Sequence, residues 1–227
     1  MVVIFGLFGK TGCGKTEILQ RLKKKHPVID IEGIARTRGS ILGDLYHLNM
    51  ATQEEFDREI YEKIREAQEA GYLIVEYEGR KIGGIKKLEI PSLLADFKNY
   101  NYRILIDCPY KQQIETLVSW YKPEREEEKK LLIERILTLR RSFKNLEMIK
   151  KIDRILEKIR GDRYYEAAEL IERELYRSHY LRNIKKIVPD LVVYNRDIEE
   201  SVKKIEAFIE EKLRYHGISW RRRSWQD

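Results

Sequence analysis

Residues Gly9–Thr16 read G-K-T-G-C-G-K-T, which fits G-x-x-x-x-G-K-[ST] at every position and follows directly on the apolar run Val2–Phe8. A strand, a glycine-rich loop and a helix in that order make a P-loop. Gly9, Gly12 and Gly14 let the backbone curl so that N–H groups converge on an anion, and the helix that follows adds the positive end of its dipole. Gly9, Thr11, Gly12, Cys13, Gly14, Lys15 and Thr16 are the expected phosphate-binding residues. Lys15 supplies a point charge and Thr16 a hydroxyl for Mg²⁺. A purely structural glycine loop is the alternative.

That loop needs a sheet around it. Short apolar runs at Val2–Phe8, Pro27–Ile31, Tyr72–Tyr77, Tyr102–Asp107 and Asp190–Tyr194 read as strands. Several are continuous and β-branched rather than alternating, as expected of parallel strands buried on both faces. Helical patterns lie between them at Lys15–Lys25, Thr52–Ala70 and Pro91–Lys98, and T-Q-E-E at Thr52–Glu55 is a capping box. The expected fold is α/β, a P-loop NTPase-like open parallel sheet of about five strands. After Cys108 the rhythm changes. Apolar residues recur every three or four positions from Leu132 to Ile159, predicting one long helix over 124–160. Gly161-Asp162 breaks it, and a second helix is expected from Tyr164 to Ile187. The predicted domains are a P-loop α/β domain over 1–120 and 188–213, an inserted helical hairpin over 121–187, and a basic tail over 214–227.

Lys and Arg number 45 against 38 Asp and Glu, a net charge of +7, which suits anionic partners, nucleic acid ahead of membrane, with plain solubility charge as an equal alternative. The tail combines Arg221, Arg222 and Arg223 with two tryptophans. A frayed terminus is the first expectation there, with charge and stacking contacts to RNA as the alternative. Two cysteines, Cys13 and Cys108, form no C-x-x-C pair, so neither a disulfide framework nor a cysteine zinc site is expected. With no basic leader and no apolar stretch of membrane-spanning length, a cytoplasmic location is expected.

Acidic residues close three other strands: Asp30 and Glu32, Glu76 and Glu78, and Asp107. The carboxyl ends of strands line the ligand crevice of such sheets. Thr16, Asp30 and Glu76 are the expected metal ligands, and Glu76 and Glu78, two apart on a strand, can act as a pair. Arg36, Arg38, Gly39 and Ser40 form a basic loop soon after strand two, a second anion clamp beside the first.

Three segments in order, G-K-T-G-C-G-K-T-E-I-L, V-I-D-I-E-G-I-A-R-T-R-G-S-I-L-G and V-E-Y-E-G-R-K-I-G, resemble the P-loop domain of tRNA 2-selenouridine synthase. Gln53, Phe56 and Glu59 resemble that family's helix element, and Glu76, Glu78, Arg80 and Gly83 its acidic element. Leu175–Leu181 faintly resembles a tyrosine-rich segment. Gly79 stands where the family usually has serine, and Thr37 where it often has histidine. The family's rhodanese-like domain, with its catalytic cysteine, has no counterpart here, so the resemblance implies a split enzyme with a separate rhodanese-like subunit. It further implies tRNA as partner, with wobble 2-thiouridine as the target. Geranyl would be transferred from geranyl diphosphate to sulfur, then selenium from selenophosphate. Lys15, Arg36, Arg38, Glu76 and Glu78 are the implied catalytic residues, with Mg²⁺ as the implied cofactor and nucleotide binding still open. Two other readings stand beside it. One is an ATP-dependent small-molecule or nucleoside kinase whose helical insertion is a lid carrying Arg140 and Arg141. The other is a non-catalytic tRNA-binding subunit.

Overall fold

A computed structural model of the chain describes residues 2–38, 42–43, 45–46, 49–84, 86–177, 184 and 187–218. The chain forms two compact units. One comprises Met1–Gly9, Cys13–Pro109 and Ile187–Asp227, and the other Lys10–Gly12 and Tyr110–Lys186.

The first unit is an α/β sheet of P-loop NTPase type. Strands β1 (Val3–Gly9), β2 (Val28–Ile29), β3 (Tyr72–Glu76), β6 (Tyr102–Asp107) and β7 (Leu191–Tyr194) pair in the order β2-β3-β1-β6-β7, every pairing parallel. Two short strands, β4 (Lys81–Ile82) and β5 (Leu88–Glu89), make a separate antiparallel pair. β1 sits at the centre and every one of its residues is buried, which explains its unbroken apolar run. Alternate side chains serve two cores. Val3, Phe5 and Leu7 pack with Ile18, Leu22, Ile205 and Ile209, while Ile4, Leu73 and Val75 pack with Phe56, Ile60, Ile64 and Tyr100. The helices covering these faces are α1 (Lys15–Leu22), α2 (Ile31–Ala35), α3 (Gln53–Ala70), α4 (Ser92–Ala95) and α9 (Ile198–Tyr215). Thr52 and Glu55 form the reciprocal capping box expected at the start of α3. The second strand is shorter than expected because Asp30 caps α2, accepting from the Gly33 N–H at 2.8 Å.

The second unit is all helical: α5 (Tyr110–Tyr121), α6 (Glu126–Ser142), α7 (Leu146–Arg160) and α8 (Tyr164–Ile171), the last continued by a π-helical turn over Glu172–Tyr176. The single helix expected over 124–160 is two. Asn145 takes extended backbone and its side chain accepts from the Glu147 and Met148 N–H groups, restarting the chain as α7. The apolar period survives this break, so periodicity alone does not register it. The second predicted helix ends its regular α form at Ile171, and its continuation past 177 lies largely outside the described residues. The inner faces bury Leu132, Ile136, Ile152, Ile155, Leu156, Ile159, Ala167 and Ile171. A cavity of about 20 Å³ between Leu117, Tyr121, Leu132 and Ile159 has room for about one water and no ligand.

Candidate functional site

The carboxyl end of β1 runs into the glycine loop with backbone that only glycine tolerates. Gly9 has φ 151°, and a Cβ there would lie 2.0 Å from the Ile106 carbonyl oxygen of β6. Gly14 has φ 85° and caps α1, whose first turn receives no side-chain cap. Because the cap is a glycine, it offers the first-turn N–H groups no side-chain acceptor, and helix N-termini of this kind suit anions. A Cβ at Gly14 would lie 2.5 Å from the Asn195 Nδ2. Asn195, fully buried just past β7, donates that amide to the Cys13 carbonyl at 2.9 Å and accepts from the Ser201 hydroxyl at 2.8 Å. This brace holds the loop from a residue 182 positions away in sequence. Nothing in the local sequence around Asn195 signals it.

Lys15 and the strand-end acids meet below the loop. The Lys15 Nζ donates to the Gly9 carbonyl at 3.2 Å and stands 3.3 Å from the Glu76 Oε1. Burial disfavours the ammonium, but Glu76, Glu78 and Glu32 outweigh it and hold the pKa above the ordinary lysine value. Thr16 donates its hydroxyl to Glu32 at 3.2 Å. Glu32, Glu76 and Glu78 each bring one carboxylate oxygen within 4.8 Å of the other two. Burial first, then the Glu76 and Glu32 carboxylates, push the Glu78 carboxyl well above the usual range, and it hydrogen-bonds to Glu76. The Glu32 and Glu76 carboxylates beside the Thr16 hydroxyl are hard oxygen donors of the kind Mg²⁺ takes together with water and phosphate.

The expected residues are not all brought together. Asp30, expected at the metal, is taken up by the α2 cap and by the Gln20 amide, and the neighbouring strand-end acid, Glu32, stands in the cluster. Arg36, expected as an anion clamp, has φ 54° at the end of α2, and its guanidinium lies 3.6 Å from Glu55 and 3.8 Å from Glu59 of α3. The Arg38 backbone N–H donates to Gly43. Gly39, Ser40 and Arg221, Arg222 and Arg223 lie outside the described residues. Within the helical unit the Thr11 carbonyl accepts from the Gln113 amide at 2.9 Å. Gln53, part of the family's helix element, docks onto β5, exchanging hydrogen bonds with the Glu89 N–H (2.8 Å) and carbonyl (3.1 Å).

The cysteines depart from expectation. Cys13 of the loop and Cys108 past β6 form a disulfide, with Cα atoms 5.3 Å apart. They are separated by 95 positions, but β1 and β6 are parallel neighbours, so their carboxyl ends emerge side by side.

A central parallel strand, a glycine loop leading into α1, and a lysine and threonine facing strand-end carboxylates define a P-loop-type α/β domain. Within that class the chain belongs to the tRNA 2-selenouridine synthase AAA-domain family, whose model matches residues 2–197. It is 65% identical over 217 residues to an uncharacterized protein of Methanocaldococcus jannaschii, covering 96% of each chain. It is 24% identical over 226 residues to the tRNA 2-selenouridine synthase of a Sulfurovum species, covering 90% of this chain and 59% of that one. With the synthase of Nitrosomonas eutropha it shares 29% identity over 117 residues, 50% of this chain and 29% of that one. The chain thus spans between about a third and three fifths of these two synthases.

Proposed function

We propose that this chain is the P-loop component of a tRNA 2-selenouridine synthase. In this reading it acts in the cytoplasm on wobble 2-thiouridine of tRNA, with a separate rhodanese-like subunit supplying the cysteine used in selenation from selenophosphate. The observation that carries it is the buried Lys15–Glu76 pair beside a glycine-capped α1 N-terminus, set in a chain of this family.

In the first step the wobble sulfur attacks the geranyl carbon. A carbon–sulfur bond forms, the carbon–oxygen bond to diphosphate breaks, diphosphate leaves with the electron pair, and the N3 proton of the base passes to water. The loop N–H groups and the α1 N-terminus face the departing oxygens, where preorganised donors lower the barrier most. Lys15, released from Glu76 as the anion arrives, supplies a positive charge to the same oxygens. Glu32, Glu76 and Thr16 would hold Mg²⁺, with Glu78 beside them, and the ion would add Lewis-acid stabilisation of the leaving diphosphate. Asn195 and Ser201 keep the loop in register without touching substrate.

Incubation of the chain with thiolated tRNA, geranyl diphosphate and Mg²⁺, followed by mass spectrometry of the nucleosides, tests the reading. Geranylated 2-thiouridine is expected, and Lys15→Ala should abolish it. No geranylated product, with or without a rhodanese-like partner, would refute the assignment. Sustained ATP turnover on a small hydroxylated acceptor without tRNA would replace it with a kinase.

A further inference from the structure

The net positive charge of this protein falls in one unit. The sheet unit carries 24 Lys and Arg against 24 Asp and Glu, while the helical unit carries 21 against 14. The whole excess of +7 therefore belongs to the second unit. There it concentrates at the turn joining α6 to α7, where residues 140–154 hold six basic and two acidic side chains.

The pairing pattern decides which of these cations are available. Arg140 is clamped to Asp153 at 2.6 Å, and Lys151 is held by Glu147 at 3.1 Å and Glu174 at 3.0 Å. Both acids of the segment are thereby used. The next acid along the outer face of α7, Glu157, is bound to Arg163 at 2.7 Å. Arg141, Lys144, Lys150 and Arg154 are exposed and have no ion-pair partner among the described residues. Burial of Ile152, Ile155, Leu156 and Ile159 turns Lys150 and Arg154 outward, one turn or about 6 Å apart. Arg141 and Asp153's neighbour Arg154 flank the Arg140–Asp153 clamp, and Lys144 lies in the turn itself.

We infer that Arg141, Lys144, Lys150 and Arg154 form a docking surface for the phosphate backbone of RNA. The partner is a folded RNA rather than a small anion, because the cations are spread along a helix and turn instead of converging on one point. A helix-turn-helix segment whose unpaired charges, over 140–154, are all positive binds such a polyanion by releasing its counterions. This placement rests on the tRNA reading of the glycine-loop site and assigns that substrate a contact surface.

The test uses the full chain and a fluorescently labelled thiolated tRNA, titrated between 50 and 300 mM salt. Arg141→Ala/Lys144→Ala/Lys150→Ala/Arg154→Ala is compared with wild type and with Lys24→Ala/Lys86→Ala/Lys87→Ala/Lys98→Ala, four exposed lysines of the sheet unit. The hairpin variant should bind at least about tenfold more weakly, and the slope of log affinity against log salt should fall by about 3, four contacts at roughly 0.7–0.9 each. Its circular dichroism and its calorimetric affinity for inorganic diphosphate should not change. The sheet-unit variant should bind like wild type. If wild type binds and the folded hairpin variant keeps the same affinity and slope, the docking surface is overturned and the proposed function stands. If wild type fails to bind tRNA even at 50 mM salt, the tRNA reading falls and the docking surface with it. Loss of binding to anionic phosphatidylserine vesicles with tRNA binding intact would also overturn it, in favour of a membrane surface.

Discussion

The Lys15 ammonium and the Glu76 carboxylate stand 3.3 Å apart with side chains 11% and 4% exposed. Each neutralises a group that would be costly to bury alone. Lys15→Ala should destabilise the protein by about 3–5 kcal/mol, because Glu76 is left buried without its counter-charge. Lys15→Met/Glu76→Gln should recover most of that stability in urea denaturation while remaining inactive in the geranylation assay. Recovery of activity by the double variant would show that the pair serves only the fold.

Glu32 and Glu76 belong to the same carboxylate cluster, and Glu76 also stands 3.3 Å from the Lys15 ammonium. Millimolar Mg²⁺ should raise the melting temperature of wild type by relieving repulsion among the three acids. Glu32→Gln should remove most of that Mg²⁺-dependent rise, and Asp30→Asn should leave it intact because Asp30 is engaged in the α2 cap. Differential scanning fluorimetry with and without EDTA reads both.

His26 gives the sheet unit an acid limit. Its ring is 1% exposed and lies 3.0 Å from the Tyr72 hydroxyl. Burial pulls its pKa down to about 4, against the attraction of Glu206 and with the help of Lys25. Unfolded histidine takes up its proton near 6.5, so stability is full above that value and is lost as pH falls from about 6.5 to about 4. The loss should reach about 3 kcal/mol across the window. Urea denaturation at pH 7 and pH 4.5 should show it, and His26→Gln should flatten the difference.

Gly6 of β1 faces the ring of Tyr100, and a Cβ there would lie 2.0 Å from its Cδ2. Tyr100 cannot retreat without giving up a buried hydrogen bond from its hydroxyl to the Leu94 carbonyl at 2.7 Å. Gly6→Ala should therefore cost about 2–3 kcal/mol in chemical denaturation. Combined with Tyr100→Val, the loss should be smaller than the sum of the two single variants.

Cys13 and Cys108 close a long loop through the core of the sheet unit. Alkylation of denatured, unreduced protein followed by mass spectrometry should find neither thiol modified. Reduction should lower stability by about 2–4 kcal/mol.

The sequence by itself determined whatever depends on neighbours along the chain. The β1–loop–α1 order follows from an apolar run, three glycines and G-K-T, and the α3 start from Thr52 and Glu55. Parallel strands were legible because burial on both faces removes the polar alternation. The break at 143–145 was also local, written in the Asn145 cap, but the continuing apolar period masked it. Tertiary structure decided what depends on strand order. Placing β3 and β6 on either side of β1 brings Glu76 under the loop and Cys108 beside Cys13, and β7 beyond them carries Asn195 to its brace. The choice between Asp30 and Glu32 was local instead, although composition cannot rank them. α2 turns Asp30 into a cap and leaves Glu32 for Thr16, because a helix starting at Ile31 needs the oxygen that a metal would otherwise take.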